Sequence, residues 1–371
     1  MFKTFQMELA GRPLIIETGK MAKQANGAVL VRYGDTVVLV ATTASKEPRE
    51  GTDFFPLTVD YEEKMYAVGK MPGGFLRREG RPGNSAILNA RLIDRPIRPL
   101  FDKRCRNDVH VVATVLSVDY DNAPELCGML GASASIGISD IPWDGPIAGV
   151  RICRVDGKYV VNPTQEQLAE SSMNITVAGS EEAIMMVEGG ANEAPEEEVL
   201  DAIMFGHETI KELCRFQKKI IEEVGKPKRT MVFPEVPEEI DEAVAAYATE
   251  DLKKAIFDAD KLRRDGNIDA VKKAAKEHFA DIYPENGADV AESLDHLTKQ
   301  IVRDSISNEG IRPDGRKLTE IRPITCEVGL LPRVHGSALF TRGQTQALSI
   351  TTLAPMSETQ IIDDLTPITE K

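Results

Sequence analysis

One stretch of this sequence occurs twice. Residues 27–43 and 336–352 align without a gap at a constant offset of 309, and seven of the 17 positions are identical: Gly27/Gly336, Leu30/Leu339, Gly34/Gly343, Thr36/Thr345, Leu39/Leu348, Thr42/Thr351 and Thr43/Thr352. Chance at ordinary residue frequencies gives roughly one identity. Upstream, Arg12-Pro13, Glu17 and Gly19 match Arg322-Pro323, Glu327 and Gly329 after a slip of one residue. In the first copy, Ala28 to Arg32 and Thr36 to Thr43 are β-branched, apolar runs joined by Gly34-Asp35, the signature of a hairpin. Two unrelated hairpins could share turn chemistry, but the extended register argues for a repeated strand, tight turn and strand. The first copy continues for over 200 residues, whereas the second has about 60 before Lys371. A sheet needs a second layer to bury its apolar face. The expectation is therefore a chain cut inside its second core.

Between the copies the periodicity changes several times. Phe5 to Leu9 alternates loosely, Gly11-Arg12-Pro13 turns, and Leu14 to Thr18 resumes as strand. Phe54 to Tyr61 and Val109 to Val118 read as further strands. A helix is expected from about Ser85 to Phe101, with Pro96 and Pro99 disturbing its last turns. Glu125 to Ser139 is rich in Gly, Ala and Ser, which suits a buried helix lying close against a sheet. Tyr159 to Asn162 and Asn174 to Ala178 are short strands, and Thr164-Gln165-Glu166-Gln167 has capping-box spacing. From about Pro195 to Val224, Ile203, Ile210, Leu213, Ile220 and Val224 recur at helical steps and share one face. Gly225 and Pro227 stop that helix. Phe233 to Pro237 looks like a linker. Glu238 to about Ser307 is helical and highly charged, a spacer rather than a catalytic element, and a β pattern reopens near Arg312. The expected fold class is α/β (α+β) in three parts: a first core over 1–232, an all-helical domain over 233–310, and the beginning of a second core over 311–371.

With 371 residues the chain exceeds one ordinary hydrophobic core. Its 42% apolar and 28% charged residues are those of a soluble globular protein. No apolar run reaches membrane-spanning length. The start, Met1-Phe2-Lys3-Thr4-Phe5, lacks a secretory signal. Five scattered cysteines and five scattered histidines show no metal-ligand spacing, and a reducing compartment suits the thiols. A cytoplasmic protein without a membrane partner is expected.

The net charge of −14 argues against a general nucleic-acid coat. Its distribution says more. From Lys70 to Arg106, ten basic residues stand against three acidic ones, so this segment attracts a polyanion that the rest of the surface repels. Within it, Arg77, Arg78 and Arg81 surround Phe75 in a glycine-rich loop. Guanidinium groups bind phosphate bidentately, and an aromatic face stacks on any base, which suits sequence-independent capture of a single strand. A solvated basic loop is the bland alternative, with about even odds on the motif alone. Arg91, Arg95 and Arg98 fall at i, i+4 and i+7, on one helix face with Asp94 beside them. A phosphate or RNA-backbone site and a structural ion-pair network weigh about equally there. No P-loop competes, because Gly69-Lys70 is followed by Met71.

These residues carry a resemblance. Arg312-Pro313-Asp314-Gly315-Arg316, Arg322-Pro323, and the run from His335-Gly336-Ser337 to Gln344-Thr345-Gln346 look like the opening of an RNase PH-type core. Phe75-Leu76-Arg77-Arg78-Glu79-Gly80-Arg81-Pro82 and Arg91-Leu92-Ile93-Asp94-Arg95-Pro96-Ile97-Arg98-Pro99-Leu100-Phe101 are similar to the first core of the polynucleotide phosphorylase family. The resemblance covers essentially the whole chain, and it implies an RNase PH-like split βαβ core, a helical domain and a second such core.

The family resemblance implies 3′-to-5′ phosphorolysis of single-stranded RNA in mRNA turnover. Inorganic phosphate is the co-substrate, nucleoside diphosphates are released, and the reverse reaction extends RNA without a template. It implies homotrimeric rings threading RNA through a pore, with RNA-degradation complex partners and no DNA partner. Family members usually carry a second aromatic where this chain has Leu76, so stacking is expected to be weaker here. The resemblance also implies Mg2+ held by two aspartates of the second core, on a segment leading into a Val-Ala-Gly strand. Counting back from Val177-Ala178-Gly179, the first-core counterparts are Leu168 and Asn174, and neither is a carboxylate. No catalytic or metal-binding residue is therefore expected within 1–371. The alternative is a non-catalytic RNA-binding ring subunit of exosome-like type. Two further rivals are weaker. A lone RNase PH-like enzyme fused to a helical domain does not explain the repeat, and a small-molecule kinase lacks its phosphate loop.

Overall fold

The computed structural model describes residues 2–49, 51–52, 54–231, 233 and 235–367. The chain divides into two compact units, Met1–Phe233 with Gln360–Lys371, and Pro234–Thr359.

In the first unit, β1 (Lys3–Leu9), β2 (Arg12–Thr18), β3 (Gly27–Tyr33) and β4 (Thr36–Pro48) run antiparallel in sequence order. Tyr33 pairs with Thr36, so Gly34-Asp35 is a two-residue turn, and Gly34 takes the left-handed conformation (φ 56°) that such turns demand. β5 (Leu57–Glu63) crosses through α1 (Asn84–Ile97) to β6 (Asn107–Ser117), which lies parallel to β5 and completes a six-stranded sheet of order β1-β2-β3-β4-β6-β5. The strand expected at Phe54 starts later, at Leu57. Phe55 instead turns its ring onto Phe101, with centroids 4.8 Å apart, and Pro56 lacks the N–H that would begin a ladder.

The helix α2 (Pro124–Ile138) is buried from Leu126 to Ile138. Its small residues explain the burial. A methyl group built on Gly131 would lie 2.5 Å from Val40 Cγ2, and one built on Gly27 would lie 2.0 Å from Ser135 O, so helix and sheet touch where side chains are missing. Ser135 Oγ and Thr42 Oγ1 hydrogen-bond at 2.6 Å inside this contact. At the helix end, Lys228 Nζ donates to the carbonyls of Ile136, Gly137 and Ser139 at 2.8–3.0 Å, satisfying acceptors that have no partner within the helix.

A second sheet of order β10-β9-β7-β8 follows, built from β7 (Ala148–Val155), β8 (Lys158–Val161), β9 (Met173–Gly179) and β10 (Ile184–Ala191). Between β8 and β9, α3 (Gln165–Glu170) opens with the expected capping box of Thr164 and Gln167. β7 and β10 were not evident in the sequence. β7 is buried at most positions and shows no alternation, and β10 ends in Gly189-Gly190, a weak strand former. The long helix α4 (Glu196–Val224) buries Ile210, Leu213 and Ile220 as its spacing predicts, while Ile203 and Val224 sit at the margin of the core.

Among the described residues the second unit holds the α-helices α5 (Glu238–Ile256), α6 (Lys261–Ala280) and α7 (Gly287–Asp304), around a core that includes Val244, Leu252, Phe279 and Leu294. It also holds a three-stranded sheet of β11 (Ile324–Val328), β12 (Gly336–Arg342) and β13 (Thr345–Thr351). The repeat holds in three dimensions. Gly27 pairs with Thr42 and Gly336 with Thr351. The one-residue slip is present as well: Leu14 faces Tyr33, and Ile324 faces Arg342. Gly34 N–H donates to Pro13 O, and Gly343 N–H donates to Pro323 O. The surroundings differ. Leu14 and Val31 are buried, whereas Ile324 and Phe340 are exposed. No helix among the described residues is long and apolar enough to cross a membrane.

Candidate nucleic-acid interface

The arginine loop hangs between β5 and α1. A single 3-10 turn, Met65–Val68, ends at Gly69 in the left-handed conformation, and Gly69 N–H closes it onto Tyr66 O. From there to Gly83 the chain is punctuated by Pro72, Gly73, Gly74, Gly80 and Pro82, and it forms no regular element. Arg77 adopts φ 51°, uncommon for a residue with a Cβ, and its N–H donates to Gly74 O at 2.9 Å, which makes the tip a tight turn.

Phe75 at this tip is 100% exposed and Leu76 is 72% exposed. Arg77 makes one long hydrogen bond to Pro72 O, 3.4 Å, and neither Arg78 nor Arg81 has an ion-pair partner among the described residues. Glu79, the loop's one acid, is exposed, and its Oε1 accepts from Met65 N–H at 3.0 Å. One Glu79 carboxylate oxygen is thus engaged by the backbone, while Arg78 and Arg81 stay exposed without an ion-pair partner among the described residues and the Phe75 ring is bare to water.

The three arginines of α1 and the turn that follows it are not equivalent. Arg98 is fixed: it grips Asp94 bidentately at 2.7 and 2.9 Å and donates to Phe55 O and Leu57 O, tying the end of α1 to the start of β5. Arg95 pairs with Glu188 on β10 at 2.7 Å. That pair is exposed and contributes little to stability, so an incoming anion can replace the carboxylate. Arg91 has no ion-pair partner among the described residues and lines a cleft of about 390 Å³ along β5, together with Asp60, Asp94 and Arg98. The helix face on which an anion site and an ion-pair network weighed equally therefore offers one open, one exchangeable and one structurally held arginine.

Sequence reasoning missed what lies under the loop. The segment after Gln360 belongs to the first unit, and a cavity of about 380 Å³ is lined by Glu63, Arg78, Glu79, Arg81, Asp363 and Asp364. Burial raises the carboxyl pKa of Glu63, and the neighbouring charge of Asp364 raises it further. Asp363 and Gly73 are separated by 290 residues, a distance over which no local pattern operates. His110 Nε2 and Asp60 Oδ2, 2.7 Å apart on neighbouring strands, were missed too. Leu168 lies on α3 and Asn174 on β9. Among the described residues no group of three or more His, Cys, Asp or Glu has the arrangement of a metal site.

The family models match in the same frame. The model described as 3′ exoribonuclease family, domain 1, covers residues 10–142 and 320–367, the two segments that carry the repeat. Domain 2 of that family covers 145–209. The chain belongs to the 3′ exoribonuclease family. Its branch is that of the polyribonucleotide nucleotidyltransferases, whose RNA binding domain model matches residues 239–317. The polyribonucleotide nucleotidyltransferase of Heliobacterium modesticaldum is 56% identical over 98% of this chain and 51% of its own length. That of Syntrophomonas wolfei is 57% identical over 98% of this chain and 52% of its own. That of Staphylococcus carnosus is 56% identical over 100% and 53%. The chain thus spans about half the length of the curated relatives it matches. Among solved structures, rice (Oryza sativa) Rrp46 overlaps with a TM-score of 0.45 at 14% identity, covering 60% of this chain and 94% of that one.

Proposed function

We propose that this exoribonuclease-family chain captures single-stranded RNA for 3′-to-5′ phosphorolysis, and that the loop carrying Phe75, Arg77, Arg78 and Arg81 is where the strand is held. The observation that supports this most directly is the loop tip itself, a fully exposed Phe75 ring beside Arg77, Arg78 and Arg81, none of which has an ion-pair partner among the described residues. Phosphates meet the guanidinium groups without regard to sequence, and a base rests on the ring. Arg91 and Arg95 extend the same positive surface along α1, with Arg98 holding that surface in place.

In this reading residues 1–232 form the first RNase PH-like core, 233–310 the helical domain and 311–371 the opening of the second core. Leu168 and Asn174 supply no carboxylate, so the first core binds and does not cut. Catalysis and Mg2+ are assigned to aspartates of the second core past Lys371, where the metal would polarise the reacting phosphate. Inorganic phosphate is the attacking group and a nucleoside diphosphate the product. The working form is a cytoplasmic homotrimer, alone or in an RNA-degradation complex.

The test is the affinity of a short oligonucleotide at several salt concentrations. Changing Arg77, Arg78 and Arg81 together to Ala is expected to weaken binding and to lower the salt slope by roughly 0.7 for each phosphate that is no longer neutralised. Phe75→Ala is expected to remove about 1–3 kcal/mol of stacking and leave the slope nearly unchanged. A triple variant that binds with the parental slope would show that the loop is a solvated basic turn.

A further inference from the structure

The loop that presents these arginines is held by a residue far away in the sequence. Gly73 N–H, on the ascending limb of the loop, donates to Asp363 Oδ2 at 2.8 Å. Lys70 Nζ, three residues earlier, donates to the backbone carbonyls of Asp364 and Thr366, both at 3.0 Å. The segment that supplies these acceptors is itself fixed. Leu365 is buried in the hydrophobic core of the first unit, and Asp364 Oδ1 accepts from both Thr366 N–H and Thr366 Oγ1–H, closing a small turn. A buried apolar anchor, a clamped lysine and a carboxylate on a loop amide converge within four residues.

We propose that Asp363 is a positioning residue for the arginine loop: by holding the amide of Gly73 it sets where Phe75, Arg77, Arg78 and Arg81 meet RNA phosphates. The proposal rests on the reading that this loop binds RNA, but the position of the loop can be tested without RNA. Glycine at position 73 fits this role, since a methyl group there would lie 2.2 Å from Asp363 Oδ2 and push the carboxylate off the amide. Asp363 also carries a charge of the wrong sign for a polyanion, and the residue is exposed. Charge alone therefore predicts that its loss improves RNA binding, whereas positioning predicts the opposite.

Limited trypsin digestion of the folded 371-residue chain reads the loop directly, because cleavage after Arg77 and Arg78 is slowed while the loop is held in its seat; Arg81 precedes Pro82 and is not a trypsin site. Loss of one solvent-exposed hydrogen bond is expected to speed these cuts about three- to tenfold in Asp363→Ala and in Gly73→Ala. Asp363→Asn keeps an acceptor for the Gly73 amide and is expected to be cut at nearly the parental rate. In the oligonucleotide assay, Asp363→Ala and Gly73→Ala are expected to lose affinity several-fold, while Asp363→Asn binds at least as well as the parent. Parental cleavage rates in both Asp363→Ala and Gly73→Ala overturn the proposal. A gain of affinity common to Asp363→Ala and Asp363→Asn overturns it too, because Asp363 would then act only as a charge. Should the triple arginine variant keep the parental salt slope, the RNA reading fails while the cleavage rates still decide whether Asp363 holds the loop.

Discussion

Arg78 and Arg98 are the same residue type put to opposite uses, and what separates them is the fate of the nearest carboxylate. Asp94 lies one helical turn before Arg98 and meets it bidentately, as i,i+4 spacing permits, so this pairing was legible in the sequence. Glu79, adjacent to Arg78, turns onto a backbone amide instead, and adjacency in a loop gives no hint of that. Arg151 and Glu125 form a third arrangement, a pair 2.6 Å apart in which both side chains are mostly buried and Arg151 Nε has no acceptor among the described residues. Removing one member of a buried pair leaves the other charge uncompensated. Glu125→Ala is therefore expected to destabilise the chain by about 3–5 kcal/mol, measured by urea denaturation. The double change Glu125→Ala, Arg151→Met is expected to recover much of that loss, since an apolar replacement removes the stranded charge. A double variant no more stable than Glu125→Ala would show that packing, and not the unpaired guanidinium, sets the cost.

Elements with a strong local signature were readable, and those made by long-range pairing were not. The Gly, Ala and Ser content of α2 announces a helix pressed against a sheet, and the structure shows where that closeness is needed. Gly128 and Gly131 make the point quantitative. A methyl group on Gly128 would lie 3.1 Å from the flexible end of Ile93, whereas on Gly131 it would lie 2.5 Å from a methyl of Val40 in the sheet. Alanine gains roughly 1 kcal/mol of helix propensity over glycine at either site. Overpacking costs about 1–3 kcal/mol where neighbours cannot yield. Gly128→Ala is expected to be near neutral and Gly131→Ala destabilising by roughly 1–2 kcal/mol, read as a shift of the denaturation midpoint at constant slope. Equal effects at the two sites would mean that the sheet yields as easily as Ile93. By contrast β10 carries Gly189, which reads in sequence as a break. Its glycine is required because a Cβ there would lie 2.4 Å from Asn174 O on the paired strand β9, a contact that exists only once the strands have met.

At the scale of the whole molecule the repeat is the strongest statement the sequence makes, and the structure preserves it down to the one-residue slip between β2 and β11. The copies then diverge where chemistry is concerned. Arg12 in the first copy lies 4.7 Å from the centroid of the Tyr33 ring and donates to Asp121 O and Asn122 Oδ1 at 2.8 Å, as well as to Asn162 O. It is a structural fixture. At the matching places of the second copy stand Arg322 and Arg342, and Arg322 reaches Asp314 at 3.6 Å. In the first core, Leu168 is half-buried and Asn174 is an exposed amide on β9, and neither can hold a divalent cation as a carboxylate does. The 371-residue chain, supplied with poly(A), inorganic phosphate and magnesium, is therefore expected to release no nucleoside diphosphate above background while still binding the RNA. Phosphate-dependent release at a rate near that of a full-length relative would place catalytic groups within residues 1–371. Release that persisted in a Leu168→Ala, Asn174→Ala double variant would further show that those groups lie elsewhere in the chain than on α3 and β9.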